Sequence, residues 1–283
     1  MRGALKAAAA MAIGAGAAVA AAAAATALGR RDDRFVPTMF GMAHLFTTRA
    51  PNGRPVRVLS LGGGWQTVMY LDDPDEPAAA YAAGFDLVLD EALPKGPARS
   101  VLVIGGAGCA WPRHAVAADE DVAVTVVEID PAMVAVARNE FCLGDAERRA
   151  GTLAGGEPRL RVVVGDGMDY LAQRASKRNT AGEAAPFDAV INDAYAGTDA
   201  PEALLSPAGL SLAKECLTPD GLYVVNVVCS PVDPTPVLAA RDALLGAFAH
   251  VWDVPCPDPL AEKENHLLVA SDREARIAGA FAV

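Results

Sequence analysis

No C-x-x-C pair occurs in the 283 residues, and the cysteines (Cys109, Cys142, Cys216, Cys229, Cys256) are scattered and odd in number. That argues against a disulfide framework and against a zinc ribbon. The four histidines (His44, His114, His250, His266) have no metal-ligand spacing and form no H-E-x-x-H, so no metal is expected. Basic residues are also scarce, 24 Lys and Arg against 35 Asp and Glu. Residues 1–34 take five of the basic and two of the acidic residues, leaving 19 and 33 in the rest, a net charge of −14. A body that acidic is unsuited to nucleic acid, which needs Lys and Arg to displace counterions. It suits a cationic small substrate instead. Internal repeats are missing too. What is plentiful is apolar: 52% of residues, with a mean hydropathy of +0.23, which excludes a mainly disordered chain.

Part of that excess is local. Ala7 to Leu28 is an uncharged, mostly alanine run of 22 residues between Arg2 and Lys6 on one side and Arg30 and Arg31 on the other. Its length would cross a bilayer, although alanine is only marginally hydrophobic. Three readings stay open: an uncleaved membrane tether, a signal peptide cut at the small residues Ala25-Thr26-Ala27, or a plain extension. Residues 30–55 are polar and punctuated by Pro and Gly, which predicts a linker. Arg57 to Leu61 and Gln66 to Leu71 are β-type runs separated by glycines, a hairpin signal, and Ala78 to Leu93 has helical composition. The expected division is thus a leader (1–29), a linker (30–55), a hairpin module (56–98) and a main domain (99–283).

From Ser100 the pattern becomes regular. Val101–Ile104, Val122–Ile129, Leu160–Val164, Phe187–Ile191 and Gly221–Val228 are short apolar runs. They alternate with helical stretches at Ala132–Phe141, Met168–Arg178, Leu204–Leu217 and Val237–Phe248. Two closing strands are expected at Val251-Trp252 and His266–Ala270. This is an α/β pattern, a mostly parallel sheet covered on both faces.

In open sheets of this kind ligands bind at the carboxyl ends of the strands. Four features fall there. Gly105, Gly106 and Gly108 end the first strand in a turn that lets backbone approach a ligand and aims helix N–H groups at it. Glu128, 22 residues after Gly106, ends the next strand, where a carboxylate can accept both hydroxyls of a ribose. An NAD site places an acid similarly, but a G-x-G-x-x-G would need glycine at Trp111. Asp166, between Gly165 and Gly167, can accept from an adenine amino group or simply cap a helix. Asp193 ends the fourth strand, where a carboxylate can hold or deprotonate an amine. Asp130 and Gly167 flank these positions and are counted with the nucleoside site. Cys109 near a helix N-terminus, and Trp65 and Trp111, are better explained by packing than by chemistry.

The order of motifs resembles the spermidine synthase-like branch of the S-adenosylmethionine-dependent transferases. It is carried by V-L-V-I-G-G-A-G, V-V-E-I-D-P, V-V-V-G-D-G, V-I-N-D-A-Y-A-G, L-T-P-D-G-L-Y-V-V-N-V and N-H-L-L-V-A-S-D, over about residues 56–272. The resemblance implies a Rossmann-like methyltransferase fold with a seven-stranded sheet and a small N-terminal β-hairpin module. It also implies S-adenosylmethionine or its decarboxylated form as co-substrate, a small amine acceptor and a homodimer. Glu128 would hold the ribose, Asp166 the adenine and Asp193 the acceptor amine, with Gln66 and Tyr81 facing the active site. A catalytic domain using such a nucleoside is expected to face the cytoplasm.

Two departures bear on the reaction. Polyamine aminopropyltransferases carry an aspartate in the turn, G-G-G-D-G-G, where this chain has Gly108. Their later second acid is also missing from Asp193-Ala194-Tyr195-Ala196, with Asp199 the next candidate for it. Aminopropyl transfer, methyl transfer and a non-catalytic nucleoside-binding module are therefore the competing expectations.

Overall fold

In the computed structural model, residues 31–93, 99–181, 184–195, 202–257 and 263–283 are described. The leader, and Asp199 with its neighbours 196–201, lie outside those residues. Among the described residues no helix is long and apolar enough to cross a membrane.

The stretch expected as a linker instead forms β1 (Arg31–Thr38) and β2 (Gly41–Arg49), joined by a tight turn at Met39-Phe40. Its polar residues mislead because β1 is largely exposed, whereas β2 is buried on both faces, Ala43 and Leu45 on one and Phe46 and Thr48 on the other. The hairpin follows as β3 (Pro55–Leu61) and β4 (Gly64–Tyr70), turning through Gly62 and Gly63 at φ of 60° and 86°. Two successive positive φ angles are what a two-residue hairpin turn demands, and glycine supplies them without strain. The four strands make one antiparallel sheet in the order β1-β2-β3-β4.

Helix α1 (Ala80–Ala92) leads to the main sheet: β5 (Arg99–Gly105), β6 (Val122–Glu128), β7 (Leu160–Val164), β8 (Phe187–Asp193), β9 (Leu217–Cys229), β10 (His250–Cys256), β11 (Glu264–Ser271) and the two-residue β12 (Phe281–Ala282). Their order is β12-β10-β11-β9-β8-β5-β6-β7. Strands β5 to β9 pair in parallel, and β11, β10 and β12 in antiparallel fashion. Seven principal strands are expected from the resemblance; β12 adds a short eighth at the edge. The helices are α2 (Ala110–Ala118), α3 (Pro131–Glu140), α4 (Leu143–Ala150), α5 (Gly167–Ala181), α6 (Pro207–Cys216) and α7 (Thr235–Leu245), with a 3-10 turn at Glu202–Leu205.

Helices cover both faces, which is why Val101–Ile104 can be apolar at every position: all four are buried. Val101 and Val103 pack with Phe85, Val88 and Trp111 from α1 and α2, while Leu102 and Ile104 pack with Leu171, Leu210 and Leu244 from α5, α6 and α7. Helix α3 attaches the small sheet, since Met133, Val136 and Phe141 share an apolar cluster with Leu45, Leu59 and Met69. Glu140 at its end binds Arg57 at 2.5 Å and also meets Arg34. Helix α4 escapes the sequence pattern. Its residues, LGDAERRA, have only Leu143, Ala146 and Ala150 as a buried stripe, too sparse to stand out.

Strand order reverses at β5, whose neighbours β6 and β8 are reached by crossovers in opposite directions. The crevice beyond the carboxyl ends of β5 and β8 is therefore the favoured place for a ligand. Gly105 and Asp193 are register partners there.

Candidate active site

The glycine turn is shaped by close approach. Gly105 and Gly106 have φ of 85° and 95°, in the left-handed region that glycine enters freely. A Cβ on Gly105 would stand 2.6 Å from the Asp193 carbonyl oxygen and from Ala194 Cα. The Gly106 N–H donates to that carbonyl at 3.1 Å, so the turn is tied to the end of β8. Gly106 is less crowded: a Cβ there would be in ordinary contact, 3.7 Å from Asp193 Oδ2 and 3.5 Å from Val103. Two non-glycine residues, Ala107 and Cys109, also take positive φ (41° and 53°). Such strain clusters at functional turns, where surrounding contacts enforce it.

Gly108 behaves differently. A Cβ on it would meet Thr67 Cγ2 at 2.4 Å and Oγ1 at 2.8 Å. Thr67, a buried residue of β4, thus occupies the space into which a side chain at 108 would project. Gly108 opens no vacancy; it makes room for the small sheet. Nothing in the sequence singles out Thr67.

Glu128 ends β6 nearly buried, with 7% of its surface exposed. Its Oε1 accepts from Asp130 N–H at 2.9 Å, and the nearby backbone of Ile129 and Ala107 also favours the charged carboxylate. Burial raises its pKa, with the backbone donors opposing that rise. This acid is thereby fixed between the end of β6 and the glycine turn.

Asp130, expected at the nucleoside site, makes two contacts within the fold. Its Oδ1 caps α3 through Ala132 N–H at 2.8 Å, and its Oδ2 accepts from Met39 N–H at 2.7 Å. Both oxygens serve the fold, one of them holding the β1–β2 turn. Gly167 is likewise a packing residue, since a Cβ there would lie 2.4 Å from Ile104 Cγ2. Asp166 caps α5, accepting from Asp169 N–H at 3.0 Å through Oδ1, and remains exposed at the end of β7. The cap does not consume its second oxygen.

Asp193 projects from the end of β8 beside Gly106. Desolvation pushes its pKa up to about 7; a hydrogen bond from Asn226 lowers it, and the charge of Glu128 raises it. Asn226 Nδ2 donates to Asp193 Oδ1 at 2.8 Å, and Asn265 Nδ2 donates to Asn226 Oδ1, also at 2.8 Å. Tyr195, two residues on, is pinned to β9: its hydroxyl donates to the Asn226 carbonyl at 2.7 Å and accepts from Val228 N–H at 2.8 Å. Asn226 and Asn265 are absent from the sequence-based candidates. A signal is present all the same, since asparagine inside the apolar run V-V-N-V-V is a buried amide in need of partners.

Gln66 lies at an irregularity of the hairpin, skipped between the pairs Ser60–Trp65 and Leu59–Thr67, and is partly buried. A bulge of this kind re-aims a side chain. Tyr81 is in the first turn of α1 and packs edge-on against Phe85 at 5.7 Å, which meets Trp111 at 5.6 Å. From the hairpin it is Thr67, the neighbour of Gln66, that fills the space beside the glycine turn. Trp111 is buried and donates through Nε1 to Asp86 at 2.8 Å, whereas Trp65 is 42% exposed. Cys109 is buried, and burial pushes its thiol up to about 12, which makes it a packing residue. A cavity of about 490 Å³, lined by Pro74, Asp75, Cys142, Asp145, Arg148 and Arg149, is a surface recess away from the strand ends.

A mostly parallel sheet with a glycine turn, an acid after β6 and an acid after β8 defines a Rossmann-like fold of the S-adenosylmethionine-dependent methyltransferase type. Residues 88–241, more than half of the chain, match the spermine/spermidine synthase domain, and the protein belongs to that family. Its sequence is 30% identical over 138 residues to the polyamine aminopropyltransferase of Shigella boydii, covering 48% of this chain and 43% of that protein. It is 28% identical over 177 residues to the eEF1A lysine and N-terminal methyltransferase homolog of Drosophila melanogaster, covering 62% and 24%. The chain spans less than half the length of either relative. In structure it is similar to a probable spermidine synthase from Corynebacterium glutamicum (TM-score 0.62, 19% identity, 87% and 80% of the two chains). A spermidine synthase in complex with the transition state analogue AdoDATO is equally similar in fold (TM-score 0.62, 16% identity, 87% and 74%).

Proposed function

We propose that this protein is a transferase that moves a carbon group from an S-adenosylmethionine-type sulfonium to an amine nitrogen. The observation carrying this reading is Asp193, a carboxylate with a pKa of about 7 beside a side-chain-free turn at the strand-order switch. The residues present fit such a nucleoside. Glu128 offers a fixed carboxylate for the ribose hydroxyls, Asp166 keeps an oxygen for an adenine amino group, and Gly106 leaves the cradle between Val103 and Asp193 unfilled.

When bound, the sulfonium supplies an activated carbon and a neutral thioether leaving group. The chain's work is then to orient the amine, exclude water and take its proton. Asp193 accepts that proton as the nitrogen lone pair forms the new N–C bond and the C–S electron pair returns to sulfur. Gln66 and Tyr81 are assigned to orienting the acceptor.

The packing of Gly108 against Thr67 supports S-adenosylmethionine as donor, hence methyl transfer. A decarboxylated donor ends in an unbalanced ammonium, and the turn offers it a threonine side chain where an acid would be needed. A charge-assisted hydrogen bond contributes about 1.5–3 kcal/mol, so its loss weakens binding roughly tenfold to a hundredfold. Aminopropyl transfer is the second reading, favoured by the family to which the chain belongs. Calorimetry with the two nucleosides separates them: S-adenosylmethionine is expected to bind at least tenfold tighter, and tighter binding of the decarboxylated form would overturn the methyl reading.

A further inference from the structure

We infer that Asn226 and Asn265 are positioning residues whose amide polarity holds Asp193 with Oδ1 occupied and Oδ2 turned to the site as the proton-accepting atom. The inference rests on the reading of Asp193 as the acceptor-side base and adds the device that fixes it. Three side chains from three adjacent strands form the chain Asn265 to Asn226 to Asp193, across β11, β9 and β8. Asn226 and Asn265 are 3% and 9% exposed, so water does not substitute for their partners.

Each amide has one donating and one accepting end. An ionised Asp193 requires the NH2 of Asn226, which leaves Asn226 Oδ1 facing Asn265, and Asn265 must then donate. The direction of both amides is thus dictated by the carboxylate, and equally the donor at Asn265 favours the ionised form of Asp193. Oδ2 is not part of this chain. It lies over Gly106, 3.7 Å from where a Cβ would stand, on the side of the crevice. Among the described residues, the other ionisable groups facing Asp193 are Glu128 from β6, whose charge opposes ionisation, and the Tyr195 hydroxyl, already bonded to β9.

Reversing the polarity tests this. In an Asn265→Asp variant the new carboxylate accepts from Asn226, turning Asn226 Oδ1 toward Asp193. The titration midpoint of Asp193, read by carbon-13 NMR of its carboxyl in the full chain without substrate, should rise by about one pH unit or more. Asn265→Leu removes the donor without adding charge and should raise the midpoint by a smaller amount. The acid limb of kcat/KM for amine transfer should move by the same interval in each variant. Unchanged midpoints in both folded variants would overturn the inference, as would a rise in Asn265→Asp alone, which would reduce the effect to the added charge. Failure of the wild-type protein to transfer to amines would instead defeat the functional reading and leave the NMR result standing.

Discussion

Replacing Asp193 with Asn is expected to lower amine transfer by a factor of about 10²–10⁴, the usual contribution of a positioned base, while nucleoside affinity stays within a few-fold of wild type. The same substitution should stabilise the fold. Burial raises the Asp193 pKa from an ordinary carboxylate value to about 7, so between those values the folded state binds a proton that the unfolded state has released. The contribution of this residue to stability therefore falls as pH rises through that window and stays low above it. A neutral amide at this position has no such penalty, yet its oxygen can still accept from Asn226. Denaturant titration should show the variant more stable by roughly 1–3 kcal/mol at pH 8 and close to wild type at pH 4. Equal stability at pH 8 would mean that Asp193 sits in water, and wild-type turnover would remove it as the base. In the wild type, kcat/KM should climb with pH and level off above about 7, as a base with that pKa requires.

A second large effect is expected at Gly105, where fold and site meet. Gly105→Ala adds a Cβ 2.6 Å from backbone atoms of Asp193 and Ala194 and asks alanine to hold a φ of 85°. Neither obstacle is the end of a flexible side chain, so the strand ends must separate. The left-handed conformation costs about 1–2 kcal/mol and the overpacking about 1–3 kcal/mol, for a destabilisation of roughly 2–5 kcal/mol. Nucleoside binding should weaken as well, because the turn carries the Ala107 backbone that favours the charged Glu128 carboxylate. Gly106→Ala is the informative contrast. It has a similar φ but no contact closer than 3.5 Å, so it should cost the backbone strain alone while intruding on the crevice. A Gly105→Ala melting curve matching wild type would show that the β5–β8 approach is not rigid.

The main sheet is legible because its strands are buried on both faces and so read as unbroken apolar runs such as Val101–Ile104. The strand-end acids are legible for a related reason, since a carboxylate directly after such a run must lie at a sheet edge. Their individual duties are less so. Asp130 looks like a ligand contact because it follows Glu128 by two residues, but only the folded β1–β2 turn shows Met39 N–H claiming its second oxygen. Strands β1 and β2 read as a linker because exposed β1 lacks the apolar alternation that marks a half-buried strand. Thr67 and Gly108 lie 41 residues apart, and their exclusion of one another is a property of packing that no local pattern reports. The Asn226–Asn265 chain is a long-range pairing of the same kind.

Whether the ends of β5, β6 and β8 bind an S-adenosylmethionine-type nucleoside is decided by equilibrium dialysis of labelled S-adenosylmethionine against wild type and Glu128→Gln. Gln keeps the size of the side chain but loses the charge that would take both ribose hydroxyls, at a cost of about 1.5–3 kcal/mol. One saturable site is expected in the wild type, with a ten- to hundredfold loss of affinity in the variant. Equal affinity in the two proteins, or no saturable binding to the wild type, would show that the nucleoside does not sit at these strand ends.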